Sequence, residues 1–161
     1  MKLTDLIRLE KQVHDYGHWA SGDIDRAAWP MRKKKLRQSS DWYWRVIRLT
    51  AGDDRHLRIL LKLNPGIEQF YAILGEVSGD GIAVLCSHDL HTSHGDWHCH
   101  ATLGKVEDVF VGAWRDKDSL RRWPEYSGVS RVVFEVTRGS ALQVAATLYR
   151  FDMPPQAEMF G

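Results

Sequence analysis

The sequence has little of several features that would assign it to a specialised class of protein. It contains two cysteines and five prolines in 161 residues, so it is neither a disulfide scaffold nor a proline-rich segment. A formal net charge of +1 gives no indication of a polyanionic partner for the chain as a whole. No apolar run approaches the roughly 20 residues that span a bilayer. Met1 leads into an amphipathic segment, which predicts no signal peptide, no membrane association and a cytoplasmic location.

The composition is otherwise that of an ordinary globular protein. Hydrophobic residues make up 43 % of the chain and charged residues 27 %, and the length is that of one domain. Seven tryptophans indicate an aromatic core or binding surface. We predict a single domain over residues 1–152 and a flexible C-terminal tail over residues 153–161.

Hydrophobic periodicity predicts an antiparallel sheet interrupted by helices. Strands are expected over residues 41–50, 56–63, 81–89, 97–103 and 131–137. Helices are expected over residues 4–17, 64–75 and 140–151, with a short one over residues 117–122. The predicted fold class is therefore α+β, an antiparallel sheet of about five strands with helices packed mainly on one face.

The chemistry-bearing side chains are concentrated between Cys86 and His100. This stretch contains both cysteines and five of the eight histidines of the chain. Side chains alternate between the faces of a strand, so His98 and His100 share a face. If the hairpin is centred at Ser93, His88 lies opposite His98 and Cys86 opposite His100, while Cys99 points to the other face. Opposed Cβ atoms are about 4.5–5.5 Å apart, close enough for a shared metal ion.

The pattern therefore predicts a divalent metal site, with zinc or manganese as the ion. Its expected ligands are His88, His98, His100 and Cys86. Second-choice ligands or proton carriers are His91, His94, Asp96 and Thr102. The alternative is that these histidines only form hydrogen bonds and that the cysteines behave as small apolar residues.

A basic segment leads into the first predicted strand. Between Met31 and Arg48 there are seven basic residues and one acidic residue. Lysine and arginine beside aromatic residues are typical of contacts to a single-stranded phosphate backbone. The predicted phosphate-binding residues are Arg32, Lys33, Lys34, Lys35 and Arg37. The alternative is a solvated charged turn, with Trp42 and Trp44 pointing into the core.

Two short motifs resemble those of phosphodiester-cleaving enzymes. His98-Cys99-His100 resembles the metal-binding motif of HUH-type single-strand endonucleases, which implies a nucleophilic tyrosine on a helix, with Tyr149 as the candidate. His100-Ala101-Thr102-Leu103 resembles the His-x-Thr-hydrophobic motif of 2H-type phosphoesterases, which implies a histidine that moves a proton. That family needs two such motifs, and the chain contains no second copy.

The resulting functional hypothesis is a metal-dependent, phosphodiester-cleaving hydrolase. It would be a nuclease-like protein, in the manner of a toxin or phage-defence enzyme, in which His88, His98, His100 and Tyr149 act in catalysis and single-stranded nucleic acid is the partner. The alternative is a small non-enzymatic module of the antitoxin, immunity or defence-accessory kind. It would bind a protein partner and contain either a structural zinc site or incidental histidines.

Overall fold

Strands dominate the structure. The computed structural model describes residues 1–31, 35–52, 54–92, 97–112, 120–123 and 133–155. The helices in these residues are α1 (Leu3–Arg8) and α2 (Ala141–Tyr149). The strands are β1 (Lys11–Asp15), β2 (Ala20–Ser21), β3 (Ile24–Asp25), β4 (Lys35–Leu36), β5 (Tyr43–Ala51), β6 (Arg55–Asn64), β7 (Gln69–Ser78), β8 (Gly81–His91), β9 (Trp97–Thr102) and β10 (Leu120–Trp123).

Eight of the described strands form one antiparallel sheet. Its order is β1-β5-β6-β7-β8-β9-β10, and β2 also pairs with β5. Strands β5 to β9 are neighbours in sequence as well as in the sheet, so each is joined to the next as a hairpin. Strands β3 and β4 form a separate two-stranded sheet.

Each face of the large sheet carries an apolar cluster. Helices α1 and α2 pack on one face, where Leu6, Ile59 and Tyr149 belong to the larger core cluster. On the opposite face Trp29 and Leu60 belong to a smaller cluster formed with the β3–β4 region. A strand buried on both faces has a nearly continuous apolar sequence, as in Ile-Leu-Leu at residues 59–61 of β6. No helix in the described ranges is long and apolar enough to cross a bilayer.

The α+β prediction is wrong because the helices contribute little of the fold. The residues expected to form a helix over 64–75 form a short 3₁₀ turn, Pro65–Ile67, followed by the central strand β7. Strand β7 is apolar on both faces, so its spacing of apolar residues fits a helix as well as a buried strand. Pairing with β6 and β8 stabilises these residues as a strand rather than as a helix.

Other predicted elements are confirmed, shortened or replaced. The β5–β6 and β8–β9 hairpins and helix α2 are present as expected. The helix predicted over residues 4–17 ends at Arg8 and gives way to β1. Of the strand predicted over 131–137, residues 133–137 are not in a strand. Of the short helix predicted over 117–122, residues 120–122 belong to β10 instead. Residues 156–161 of the predicted tail lie outside the described ranges.

Candidate metal centre

The pairing of β8 with β9 decides which side chains can meet. Asp89 pairs with His98, His88 pairs with Cys99, and Ser87 pairs with His100. The prediction that His88 faces His98 and Cys86 faces His100 is therefore wrong by one residue. A slip of one residue exchanges the faces of one strand relative to its partner. As a result, His88 and Cys86 cannot join His98 and His100 on one metal ion.

The correct register gathers one carboxylate and three imidazoles on the same face. Asp89 is fully buried in the centre of the group. Its Oδ2 atom lies 3.4 Å from Nε2 of His98, 3.6 Å from Nε2 of His100 and 3.9 Å from Nε2 of His91. Its other oxygen, Oδ1, accepts a short hydrogen bond from Oγ of Ser87. Three imidazole nitrogens thus converge on one carboxylate oxygen.

These separations fit metal ligands better than direct hydrogen bonds. An N–H···O hydrogen bond is about 2.7–3.2 Å long, which is shorter than all three distances. Two ligands about 2.1 Å from a tetrahedral ion are about 3.4 Å apart. One ligand atom from each of Asp89, His91 and His98 lies within 4.8 Å of the other two. Asp89, His91 and His98 therefore form a buried group that could hold a metal ion.

A hydrogen-bond chain orients His91 for this role. The hydroxyl of Tyr71 donates to Oε1 of Gln69 at 3.2 Å, and the same hydroxyl lies 3.3 Å from Nδ1 of His91. When the Tyr71 hydroxyl donates to Gln69, its oxygen can accept a proton from Nδ1 of His91. The Nε2 atom that faces Asp89 is then unprotonated, which is the form that binds a metal.

His98 and His100 differ in their surroundings. The rings of His98 and His91 are stacked with centroids 5.2 Å apart, and His98 meets His100 edge to face at 5.2 Å. The side chain of His98 is 5 % exposed and that of His100 is 21 % exposed. Nδ1 of His98 is buried without a hydrogen-bond partner among the described residues. His100 is therefore the member of the group most accessible to solvent.

The opposite face of the same hairpin carries a second, separate cluster. His88 Nδ1 lies 2.9 Å from the Tyr149 hydroxyl, which donates to the Ala72 carbonyl at 2.6 Å. The register puts Cys86 and Cys99 on the same face of the sheet, so the expectation that they point to different faces is wrong, and a hydrogen bond between the two thiols acts on both pKa values. This bond and nearby His88 lower the pKa of Cys99 to about 5. The same bond and complete burial raise the pKa of Cys86 well above its usual value.

Tyr149 therefore does not stand beside the metal-binding group. Its hydroxyl is fully buried in the core on the α2 side of the sheet, and burial raises its pKa well above the usual value. The HUH-type arrangement requires the tyrosine to reach the ion held by the two histidines. Here the sheet lies between them, so the role predicted for Tyr149 as nucleophile is contradicted by the geometry.

The remaining predicted site residues are placed only in part. His94, Asp96, Arg32, Lys33 and Lys34 lie outside the described residues. Lys35 is in β4, where it pairs with Asp25 of β3, and Arg37 is exposed. Thr102 is buried two residues beyond His100, and by strand alternation on the same face. Phosphate binding by the basic segment stays a prediction.

Sequence reasoning missed Asp89, the centre of the group. The signal was present, because Ser87, Asp89 and His91 alternate along the strand just as His98 and His100 do. Cys86 and His88, at the alternate positions of the same strand, indicate the opposite face instead. The predicted strand over residues 81–89 also excludes His91, which is the last residue of β8.

Comparison of the chain with protein-family models, with curated proteins and with solved structures finds no match. The chemistry of the Asp89 group is therefore the basis for assigning a function.

Proposed function

We propose that this protein is a metal-dependent hydrolase that cleaves phosphodiesters at the Asp89 group. The observation that carries the proposal is the convergence of three imidazole Nε2 atoms within 3.4–3.9 Å of one buried carboxylate oxygen. Zinc and manganese are among the ions that bind imidazole and carboxylate ligands. Free thiols at Cys86 and Cys99 fit a reducing, cytoplasmic location.

Each residue of the group has a distinct part in this proposal. Asp89, His91 and His98 hold the ion, because three protein ligands leave a position open for catalysis. Such an ion would polarise a phosphoryl oxygen and make water acidic enough to attack near neutral pH. His100 is more exposed and faces the same carboxylate oxygen, so it carries the proton to or from the reacting atoms.

A structural zinc site in a non-enzymatic module is the second candidate. It is favoured by the burial of the ligands, because the side chains of Asp89 and His98 are 1 % and 5 % exposed. A closed site of this kind would stabilise the β8–β9 hairpin directly. His100 would then be a fourth ligand, completing a tetrahedral set.

Both candidate functions require a bound metal ion, and the metal content after purification without an affinity tag tests this requirement. We expect the chelator-treated protein to take up about one equivalent of zinc or manganese. Asp89→Asn and His98→Gln should each weaken that binding by more than about 100-fold, because even the loss of an outer-shell partner costs 10–100-fold. His88→Gln is the matched control, since it lies in the same hairpin on the opposite face and should bind the metal normally.

Hydrolysis of bis(4-nitrophenyl) phosphate separates the two candidates. The metal-loaded protein should release nitrophenolate, and Asp89→Asn should abolish the release without a large fall in the melting temperature of the metal-free protein. Tight zinc with no hydrolysis, together with a sharp drop in melting temperature on chelation, would favour the structural site. Absence of specific metal uptake would contradict both candidates.

A further inference from the structure

A row of side chains crosses five strands of the sheet and passes through the Asp89 group. Register pairs Trp44 with Lys62, Lys62 with Tyr71, Tyr71 with Asp89, and Asp89 with His98. Cross-strand partners point to the same face, so these five side chains share the face of the proposed metal site. Neighbouring strands are about 4.8 Å apart, so Lys62 lies roughly 10 Å from Asp89 along the row.

The Lys62 end of this row combines a positive charge with two aromatic rings. Trp42 and Tyr71 have ring centroids 5.8 Å apart, with their planes inclined by 42°. The Lys62 ammonium lies 4.7 Å from the Trp42 centroid and 5.6 Å from the Tyr71 centroid. All three side chains are partly exposed. The cation–π contacts hold the charge at this face, and the exposed parts of the rings offer stacking surface.

A second positive charge lies on the other side of the metal-binding group. Arg122 of β10 pairs with His100, which pairs in turn with Ser87 of β8. Arg122 therefore projects from the same face as His100, one strand further toward the edge of the sheet. Its neighbour Arg121 pairs with Ala101 and projects from the opposite face. The Asp89 group is thus flanked by Lys62 on one side and Arg122 on the other.

We propose that this face binds single-stranded nucleic acid across the strands of the sheet. The inference rests on the proposed function, since it places the phosphodiester that is cleaved at the Asp89 group. The flanking phosphates lie at Lys62 and Arg122, and an unpaired base stacks against Trp42 and Tyr71. From β6 to β10 there are four strand spacings, or about 19 Å, which is room for several nucleotides.

Single strands fit this surface better than duplexes. Aromatic side chains on a sheet can stack with a base only when that base is unpaired. Lysine and arginine then contact the backbone without regard to sequence. DNA and RNA share the base and phosphate chemistry on which the proposal depends, so both are tested.

Fluorescence anisotropy with labelled 12-nucleotide DNA and RNA, in the presence of EDTA, tests binding separately from cleavage. We expect salt-sensitive binding of single strands and at least tenfold weaker binding of the matching duplex. Arg122→Gln should weaken binding and reduce the slope of log affinity against log salt by about 0.7. The matched control Arg121→Gln, on the opposite face of the same strand, should change neither.

Two further variants probe the aromatic end. Lys62→Gln should again reduce the salt slope by about 0.7. Trp42→Leu should weaken single-strand binding about tenfold while leaving the slope unchanged, because a lost stacking contact removes no charge. Circular dichroism melting curves establish that each variant is folded, and a misfolded Trp42 variant leaves the test to Lys62 and Arg122.

Three outcomes would overturn the inference. They are the absence of single-strand binding at low salt, equal effects of Arg121→Gln and Arg122→Gln, and tighter binding of the duplex. Hydrolysis of bis(4-nitrophenyl) phosphate by a protein that fails to bind oligonucleotides would leave the proposed function standing and reject this substrate. Oligonucleotide binding with the predicted variant effects but without metal uptake would support single-strand binding and reject the proposed metal-dependent function.

Discussion

Adjacent residues of β8 occupy different chemical environments. His88 contacts the buried Tyr149 hydroxyl on the α2 side of the sheet, whereas Asp89 meets three imidazoles on the other side. Histidine content alone therefore does not identify a ligand in this hairpin. Replacement of His88 acts on core packing, and replacement of His98 acts on the proposed metal.

Lys11 provides a prediction at the residue scale. Its ammonium group donates to the carbonyls of Ile7 at 2.8 Å and Leu9 at 3.0 Å. Burial, followed by repulsion from Arg150, lowers the pKa of Lys11 from 10.5 to about 8. Between these two values the unfolded chain binds more protons at this position than the folded chain, so the free energy of unfolding should rise with pH.

Urea unfolding between pH 7.5 and 10 measures this effect. Lys11→Met removes the titrating group, so the difference between the parent protein and the variant isolates Lys11 from other groups that titrate in the same range. We expect the stability of the parent relative to the variant to increase as the pH rises through 8. A difference that does not change with pH would show that Lys11 has an ordinary pKa in the folded protein.

Turn chemistry made some elements predictable from sequence. The Ala51-Gly52-Asp53-Asp54 segment lies between two alternating apolar runs, and together they predict the β5–β6 hairpin. Ser140 followed by an apolar stripe indicated α2. The sequence could not predict β7 as a strand, because its burial on both faces leaves no period-two pattern. The register of β8 and β9 depends on the loop between them, which hydrophobicity does not specify.

Gly17 provides a prediction for the link between β1 and β2. Its φ is +66°, and a Cβ atom there would lie 2.2 Å from the backbone oxygen of Val46 in β5. Gly17→Ala therefore combines an unfavourable conformation with a clash against backbone that cannot rotate away. We expect a loss of about 3 kcal/mol or more in the free energy of unfolding, measured by urea denaturation.

Gly22 is the matched control for this substitution. Its φ is +80°, and within the described residues no heavy atom other than those of Gly22 and its chain neighbours lies within 4 Å of an added Cβ. Gly22→Ala should therefore cost only the conformational term, about 1 kcal/mol. Equal losses in the two variants would mean that the contact with Val46 relaxes easily.

At the scale of the whole molecule, the two faces of one sheet separate the larger apolar core from the candidate metal site. The α2 side buries the larger apolar cluster together with Tyr149 and Cys86. On the other side the apolar cluster around Trp29 and Ile82 covers part of the sheet. The Asp89 group lies on that side too, as does Lys62 with the rings of Trp42 and Tyr71. The sequence predicted the hairpin that carries the site. It could not predict which face of each strand would pack against the helices, because that depends on contacts between distant segments.

The proposed ligands Asp89, His91 and His98 all come from one hairpin, and this has a consequence for folding kinetics. Closing a short loop costs little chain entropy compared with joining distant segments, so the ion can be captured before the rest of the sheet has assembled. An interaction already formed in the transition state accelerates folding more than it slows unfolding. In stopped-flow experiments, zinc or manganese should therefore raise the refolding rate of the parent protein and leave its unfolding rate nearly unchanged. The refolding rate of His98→Gln should not respond to the ion. A metal effect confined to the unfolding rate would place capture of the ion after the rate-limiting step.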